Sequence, residues 1–70
     1  MKFKRKTSGI IIIGNEVLTG KTLDTNSNFL CKNLYEIGVD CKEISVIQDV
    51  EKIIIEKVNL FRKKFDFVFT

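Results

Sequence analysis

Four consecutive isoleucines, residues 10–13, end at Gly14 and limit the possible folds more than any other feature of this chain. A run of β-branched residues that is apolar on both faces is typical of a central strand in a parallel sheet, because helices cover both sides of such a strand. Gly14 then lets the chain leave the sheet without a side-chain clash. The run therefore predicts an α/β fold built around one buried strand.

The rest of the chain continues an alternation of helices and strands. Residues 26–37 predict a helix, and Gly38 follows it as a left-handed C-terminal residue. Residues 41–47 predict a second strand, residues 50–64 a second helix, and residues 65–70 a third, strongly apolar strand. The order β-α-β-α-β with short connections predicts a parallel sheet covered by helices on both faces, a three-layer arrangement.

Apolar spacing also predicts which side of each element is buried. The expected stripes are Phe29, Leu30, Leu34 and Ile37 in the first helix, Ile53, Ile54, Val58 and Phe61 in the second, and Ile44 with Val46 in the second strand. Asp24, Asn26 or Ser27 is expected to cap the first helix, with Asn26 favoured because Asn is among the best N-cap residues, and Asp49 the second.

The domain organisation follows from length. Residues 1–7, with Lys2, Lys4, Arg5 and Lys6, are expected to form a solvated basic tail, and residues 8–70 one small domain. A chain of about 70 residues buries only about 60% of its unfolded surface, so it needs further support. In doubly wound sheets the loops after the strands supply ligand groups, and the loop after the third strand lies outside this sequence. We therefore expect a truncated domain that joins missing segments or forms a homo-oligomer.

Composition excludes several classes of function. The chain has no histidine, which excludes His-based acid–base catalysis and His-ligated zinc within it. Cys31 and Cys41 are too few for a disulfide framework and are expected to be small buried apolar residues. A net charge of +3 does not indicate specific nucleic-acid binding. No apolar run approaches the roughly 20 residues of a membrane span, and the run of residues 10–13 is too short for the apolar region of a signal peptide, so we expect a cytoplasmic protein.

The polar segment of residues 14–26 is the part of the chain most suited to ligand chemistry. Gly20-Lys21-Thr22 suggests a phosphate-binding P-loop, but five residues instead of four separate it from Gly14. Helix signals also begin later, near Asn26, and the Glu16 carboxylate would repel a phosphate. A P-loop is therefore not expected.

A crevice loop at the end of the first strand fits the same residues better. Gly14 would let a ligand approach the backbone, and Glu16 could hold a ribose hydroxyl, a pterin amine or Mg²⁺. The plainer alternatives stay open: turn-forming glycines, helix caps and a solvated Glu16. The candidate ligand-binding residues are Gly14, Asn15, Glu16, Thr19, Gly20, Asp24 and Asn26, with Glu16 also the candidate metal ligand.

Residues 9–30, GIIIIGNEVLTGKTLDTNSNFL, resemble the opening of the MoaB/Mog molybdopterin-binding domain. The resemblance is closest to the CinA-type competence/damage-inducible branch and to the N-terminus of eukaryotic FAD synthetases. Residues 34–40 and the third strand follow the family's course, so the resemblance covers nearly all of residues 8–70. By position, Gly14, Asn15 and Glu16 match the family's first site loop, and Asp24 with Asn26 its Asp-x-Asn element.

The resemblance implies a mostly parallel α/β fold, oligomeric in many members, that binds molybdopterin or a nucleotide such as ADP-ribose or FAD. It further implies metal-dependent pyrophosphate hydrolysis, with Mg²⁺ as the expected ion, in full-length members of the CinA-like branch. The family's next motif, a Gly-Gly-x-Gly-Pro-Thr run with paired aspartates, would follow Thr70 and is not in this sequence. This chain alone is therefore expected to bind ligand without turnover; the alternative is a non-enzymatic binding or oligomerisation module.

Overall fold

The computed structural model describes residues 4–21 and 24–70, in which strands and helices alternate around a parallel sheet. The elements are β1 (Lys6–Ile13), α1 (Asn15–Leu18), α2 (Asn26–Glu36), β2 (Val39–Ile47), α3 (Glu51–Lys64) and β3 (Phe67–Phe69). The strand order is β2-β1-β3, and both pairings are parallel. The isoleucine run thus lies in the central strand, and the predicted α/β fold is confirmed.

One face of the sheet packs against α3. The core there consists of Ile11, Ile47 and Phe61, and Phe61 is fully buried. Around it pack Ile13, Ile53, Ile54, Val58, Phe65 and Val68, so the predicted stripe of α3 is confirmed. Gly9 makes this packing possible, because a Cβ atom built on it would lie 2.5 Å from Cδ2 of Phe61.

The other face of the sheet packs against α2, and here the predicted stripe was partly wrong. Leu34 is buried and Leu30 half-buried, as expected, but Phe29 is 72% and Ile37 74% exposed. The helix turns the row containing Ser27, Leu30 and Leu34 to the sheet instead. Phe29 lies two residues from Ser27, which places it about 200° around the helix, on the solvent side.

A β-bulge in β2 decides which of its side chains face α2. Ser8 pairs with Cys41 but Gly9 pairs with Glu43, so Lys42 is an extra residue. Because of this insertion, Cys41 and Ile44 both face α2, although three positions separate them. Ile44 and Val46 share that face as predicted, but Ile44 stays 45% exposed.

Several element boundaries differ from prediction. β1 begins at Lys6, not at residue 10, and β2 at Val39, because Lys6 and Thr7 pair with Val39 and Asp40. The last two residues of the expected tail therefore belong to the sheet. β3 is limited to Phe67–Phe69, since Phe65 ends α3 and packs in the core.

The ends of the helices test the predicted capping residues. Gly38 has φ of +94°, which confirms its left-handed role after α2. Asp49 does not cap α3; the N-cap is Val50, which makes no side-chain capping bond. Residues 1–3 of the expected tail and residues 22–23 of the polar loop lie outside the described residues. In the parts that the structure describes, no helix is both long enough and apolar enough to cross a membrane.

Candidate functional site

The ends of β1 and β2 meet at the carboxyl edge of the sheet. The backbone N–H of Gly14 donates to the carbonyl oxygen of Ile47 at 3.1 Å. The backbone N–H of Asp49 donates to Oδ1 of Asn15 at 3.4 Å. Two polar residues from different loops, Asn15 and Asp49, are thereby held side by side where parallel α/β sheets commonly bind ligands.

The segment after Gly14 is a short helix, α1, and not the irregular loop that was expected. The backbone N–H of Thr19 donates to the backbone carbonyl oxygen of Asn15 at 3.0 Å, and the backbone N–H of Lys21 donates to the backbone carbonyl oxygen of Glu16 at 2.9 Å. These bonds satisfy the backbone locally as the chain leaves the sheet, which explains why a turn of helix forms. Gly20 ends the turn with φ of +80°, a conformation that favours glycine.

This geometry settles the roles of the Gly-Lys-Thr residues that lie inside the structure. Gly20 and Lys21 close the turn that ends α1; they do not open a long helix as a P-loop would. The Thr19 hydroxyl donates to the Glu16 carbonyl oxygen at 3.3 Å and so helps to end the same turn. The expectation that this is not a P-loop agrees with the fold.

The Glu16 side chain folds back over Gly14. A Cβ atom on Gly14 would lie 2.8 Å from Oε1 of Glu16, so the carboxylate takes the space that a side chain at residue 14 would need. Glu16 is exposed, and within residues 4–21 and 24–70 no side-chain hydrogen bond or ion pair holds its carboxylate. The group can therefore rotate toward a ligand at low cost.

Asp24 caps α2 from one position before its N-cap residue, Thr25. Oδ2 of Asp24 accepts from the Ser27 hydroxyl at 2.6 Å, and Oδ1 accepts from the Ser27 N–H at 3.3 Å. The hydrogen bond from the Ser27 hydroxyl is the main cause that lowers the pKa of Asp24. Capping by Asp24 is confirmed, while capping by Asn26 was wrong, because Asn26 lies inside the first helical turn. The Asp-x-x-Ser spacing was the signal that could have paired Asp24 with Ser27.

A groove of about 300 Å³ runs along the α2 side of β1 to the carboxyl edge. Its floor is apolar, formed by Ile10, Ile12 and Phe69, while Asn26 and Thr70 bring polar groups to it. The volume is at the lower end of those of small-molecule sites. Sequence reasoning missed Phe69 and Thr70, although the end of a third parallel strand must reach the same edge as the ends of the first two.

The predicted site residues thus fall into two groups. Gly14, Asn15 and Glu16 lie together at the end of β1, and Asn26 reaches the groove at the start of α2. Thr19 and Gly20 serve the α1 turn, and both carboxylate oxygens of Asp24 are occupied by Ser27. No described contact joins Glu16 to Asp24.

The metal prediction rests on Glu16 alone. Among residues 4–21 and 24–70, no three His, Cys, Asp or Glu side chains converge in a way that could hold an ion. Mg²⁺ is often held by only one or two carboxylates, with substrate phosphates and water completing its shell. A freely rotating Glu16 carboxylate fits one position of such a shell, and its role as a metal ligand stays a prediction.

Comparison with known proteins gives the same fold and a family. A crystal structure of the protein CinA from Thermoplasma acidophilum matches with a TM-score of 0.85 and 28% identity, over 91% of this chain and 38% of that one. A "Probable FAD synthase" of Caenorhabditis briggsae is 45% identical over 67 residues, 96% of this chain and 13% of that protein. A "CinA-like protein" of Flavobacterium psychrophilum is 37% identical over 59 residues, 84% of this chain and 14% of that protein.

The chain therefore spans about a seventh of the length of these two curated relatives. The family model described as "Probable molybdopterin binding domain" matches residues 9–70, which include every candidate site residue. With its resemblance to CinA-like proteins, this match over most of the sequence establishes that the chain belongs to the probable molybdopterin-binding domain family.

Proposed function

We propose that this chain forms one wall of a binding site for a nucleotide or for molybdopterin at the carboxyl edge of its sheet. The observation that carries the proposal is the contact between Asn15 and Asp49, which joins the loops after β1 and β2 beside Gly14. Polar groups from two loops meeting at this edge are the usual arrangement of ligand sites in parallel α/β folds.

The residues at this edge keep hydrogen-bonding groups that the described contacts within the protein leave unused, and these groups can bind a ligand. Oδ1 of Asn15 accepts from Asp49, so the Asn15 NH₂ group is oriented and can donate to a phosphate or ring oxygen. The Glu16 carboxylate, which only accepts, suits a ribose hydroxyl or a pterin amine. Gly14 lets the ligand approach the backbone, and Asn26 offers an amide at the mouth of the groove.

Among the two ligand classes, relatives named FAD synthase favour a nucleotide that contains a pyrophosphate, such as ADP-ribose or FAD. Mg²⁺ bound through Glu16 would neutralise phosphate charge there. We propose cytoplasmic pyrophosphate hydrolysis for the completed domain, in which a homo-oligomer or further segments supply the remaining groups. Residues of this chain bind and orient the ligand.

A second candidate is a binding or oligomerisation module without catalysis. It is supported by the apolar side chains of β3, where Phe67 is 45% exposed and Phe69 lines the groove. Exposed apolar surface beside the open outer edge of a strand favours association.

Thermal unfolding with ADP-ribose, FAD or MgCl₂, alone and combined, tests the ligand proposal. A nucleotide at about 100 times its Kd would stabilise the fold by about 2.7 kcal/mol and raise the unfolding midpoint by about 10–20 °C. Glu16→Gln should reduce the shift and its dependence on Mg²⁺. Glu36→Gln is the matched control. Glu36 is also an exposed glutamate, but it lies at the C-terminal end of α2, away from the carboxyl edge of the sheet.

Hydrolysis is tested separately from binding by using chromatography to detect the release of AMP from ADP-ribose. A ligand-dependent shift without AMP release supports a binding wall that needs further segments. If none of the ligands moves the midpoint and the chain sediments as a concentration-dependent oligomer, the binding module is the better account.

A further inference from the structure

Both cysteines of the chain line one groove that lies apart from the carboxyl-edge site. The groove, of about 560 Å³, runs between α2 and the start of β2. Cys31 projects from α2 and Cys41 from β2, and each is a free, half-buried thiol. Lys32 and Lys42 line the same groove. Two thiols on facing elements, in a groove open to solvent, are accessible to small oxidants.

Local structure places the Cys41 thiol on the face of the sheet that α2 covers. The bulge at Lys42 places Cys41 on the α2 face of the sheet, on the same side as its strand partner Ser8. The oxygen of the buried Ser8 hydroxyl lies 3.1 Å from the Asp40 carbonyl oxygen and 3.5 Å from the Cys41 sulfur, and its single proton can be donated to either acceptor. These contacts fix the side of the sheet on which the thiol lies.

The neighbouring Cys41 thiol affects the ionisation of Cys31. Burial, and after it the neighbouring Cys41 thiol, raise the pKa of Cys31 to about 11. A thiolate, not a thiol, attacks oxidants, so Cys31 is the poorer first nucleophile of the pair. Cys41, whose sulfur lies 3.5 Å from the Ser8 hydroxyl in a groove open to solvent, is then left for the first attack, and Cys31 resolves the product.

We propose that Cys31 and Cys41 form a reversible intramolecular disulfide, a redox-sensitive cross-link between α2 and β2. The oxidant is a peroxide. The Cys41 thiolate attacks one peroxide oxygen, the O–O bond breaks, and Cys41 becomes a sulfenic acid as hydroxide leaves. The Cys31 thiol gives its proton to the released hydroxide, which forms water, and the Cys31 sulfur then attacks the Cys41 sulfur; the S–O bond breaks and hydroxide leaves, to be protonated to the second water. With hydrogen peroxide, two thiols and one peroxide give one disulfide and two waters.

Reduction restores the thiols by exchange with a small thiol through a mixed disulfide. The cross-link would close the segment from residue 31 to residue 41, which contains the Gly38 turn, and would tie α2 to the edge strand of the sheet. A cross-link that constrains the unfolded chain stabilises the folded one. The proposal does not depend on the ligand proposal, because neither cysteine belongs to the carboxyl-edge site.

Mass spectrometry of the full chain after treatment with one equivalent of hydrogen peroxide tests the cross-link. We expect a monomer lighter by two hydrogen atoms, loss of both titratable thiols, and an unfolding midpoint higher by about 10 °C. Dithiothreitol should reverse all three changes. Cys31→Ser and Cys41→Ser are the matched controls, each lacking one partner.

The single variants separate an internal cross-link from general oxidation. Cys31→Ser should stop at a sulfenic acid on Cys41 or form dimers, and Cys41→Ser should keep its Cys31 thiol longest. A wild-type chain that retains both thiols while Cys31→Ser is oxidised would overturn the proposal. Disulfides found only between two chains of the wild-type protein would also overturn it. This result comes from the wild-type protein alone, so it does not depend on whether the variants fold.

Discussion

The two ends of the sheet are held together in different ways. At the amino end, side chains join elements distant in sequence through short bonds: Arg5 to Asp40 at 2.8 Å, Thr7 to Asp66 at 2.8 Å, and Lys64 to Glu43 at 2.8 Å. At the carboxyl end, the described bonds between different elements are one backbone bond, from Gly14 to Ile47 at 3.1 Å, and one side-chain bond, from Asp49 to Asn15 at 3.4 Å; no ion pair is described there.

This difference separates support from function. The bonds of the amino end engage the Asp40, Asp66 and Glu43 carboxylates in holding separate segments of the chain together. At the carboxyl end, Glu16 and the Asn15 NH₂ group keep bonding capacity, which a ligand site requires. One end of the sheet is thus cross-linked by side chains, and the other end keeps free polar groups, an arrangement found in other parallel α/β folds.

The two glycines of the β1 region offer the largest test of this contrast. Gly9→Ala should lower the free energy of unfolding by about 1–3 kcal/mol, because the new methyl group would overlap the rings of Phe61 and Phe65. Chemical denaturation measures the loss. Gly9→Ala with unchanged stability would mean that the core beneath β1 is looser than the structure indicates.

Arg5→Met should have a smaller effect, about 1 kcal/mol. It removes the ion pair with Asp40, the hydrogen bond to the Tyr35 carbonyl oxygen at 2.8 Å, and the cation–π contact with the Tyr35 ring at 4.4 Å. Urea denaturation at low and high salt measures the change. Arg62→Met, at an exposed arginine of α3, is the control and should stay near wild type.

Acid should weaken both ends through one carboxylate each. The Thr7 N–H holds the pKa of Asp66 below its usual value, and the Ser27 hydroxyl does the same for Asp24. A depressed folded-state pKa gives stability that is present above the unfolded value, about 3.9, and is lost as pH falls through the folded value. The free energy of unfolding, measured from about pH 6 downward, should therefore decrease once the pH is below about 4.

Amide variants identify which carboxylate carries this acid dependence. Asp66→Asn and Asp24→Asn should each flatten the fall, and the double variant should flatten it most. An unchanged slope in both single variants would assign the acid sensitivity to other groups.

Gly14→Ala should have the smallest effect on stability, under about 0.5 kcal/mol. Its new methyl group meets only the end of the flexible Glu16 side chain, and its φ of 164° is extended backbone. The displaced Glu16 carboxylate should nevertheless reduce any nucleotide-dependent thermal shift. Stability loss as large as that of Gly9→Ala would contradict the contrast between the two ends.

Sequence patterns predicted what depends on neighbouring residues. The run of residues 10–13, the stripe of α3 and the Gly38 turn are local signals, and all are found in the structure. Gly14 to Glu16 lie at the carboxyl edge of the sheet because the first parallel strand ends there, and their role in a site stays a prediction.

What sequence patterns missed depends on contacts between distant residues. The rotation of α2 that exposes Phe29 follows from how Leu34 and Ser27 meet the sheet, and apolar spacing alone cannot choose between such rows. Lys6 and Thr7 join β1 only because β2 begins early enough to pair with them. The contact between Asn15 and Asp49 spans 34 residues, so no local pattern contains it.

The bulge at Lys42 determines where β2 can lose one residue without disturbing its pairing with β1. Removing one residue from a strand normally reverses the facing of every side chain on one side of the deletion. Lys42 is the exception in β2, because the residue before it already pairs with Ser8 and the residue after it with Gly9. A one-codon deletion there would give a regular ladder and leave every other side chain of β2 on its present face.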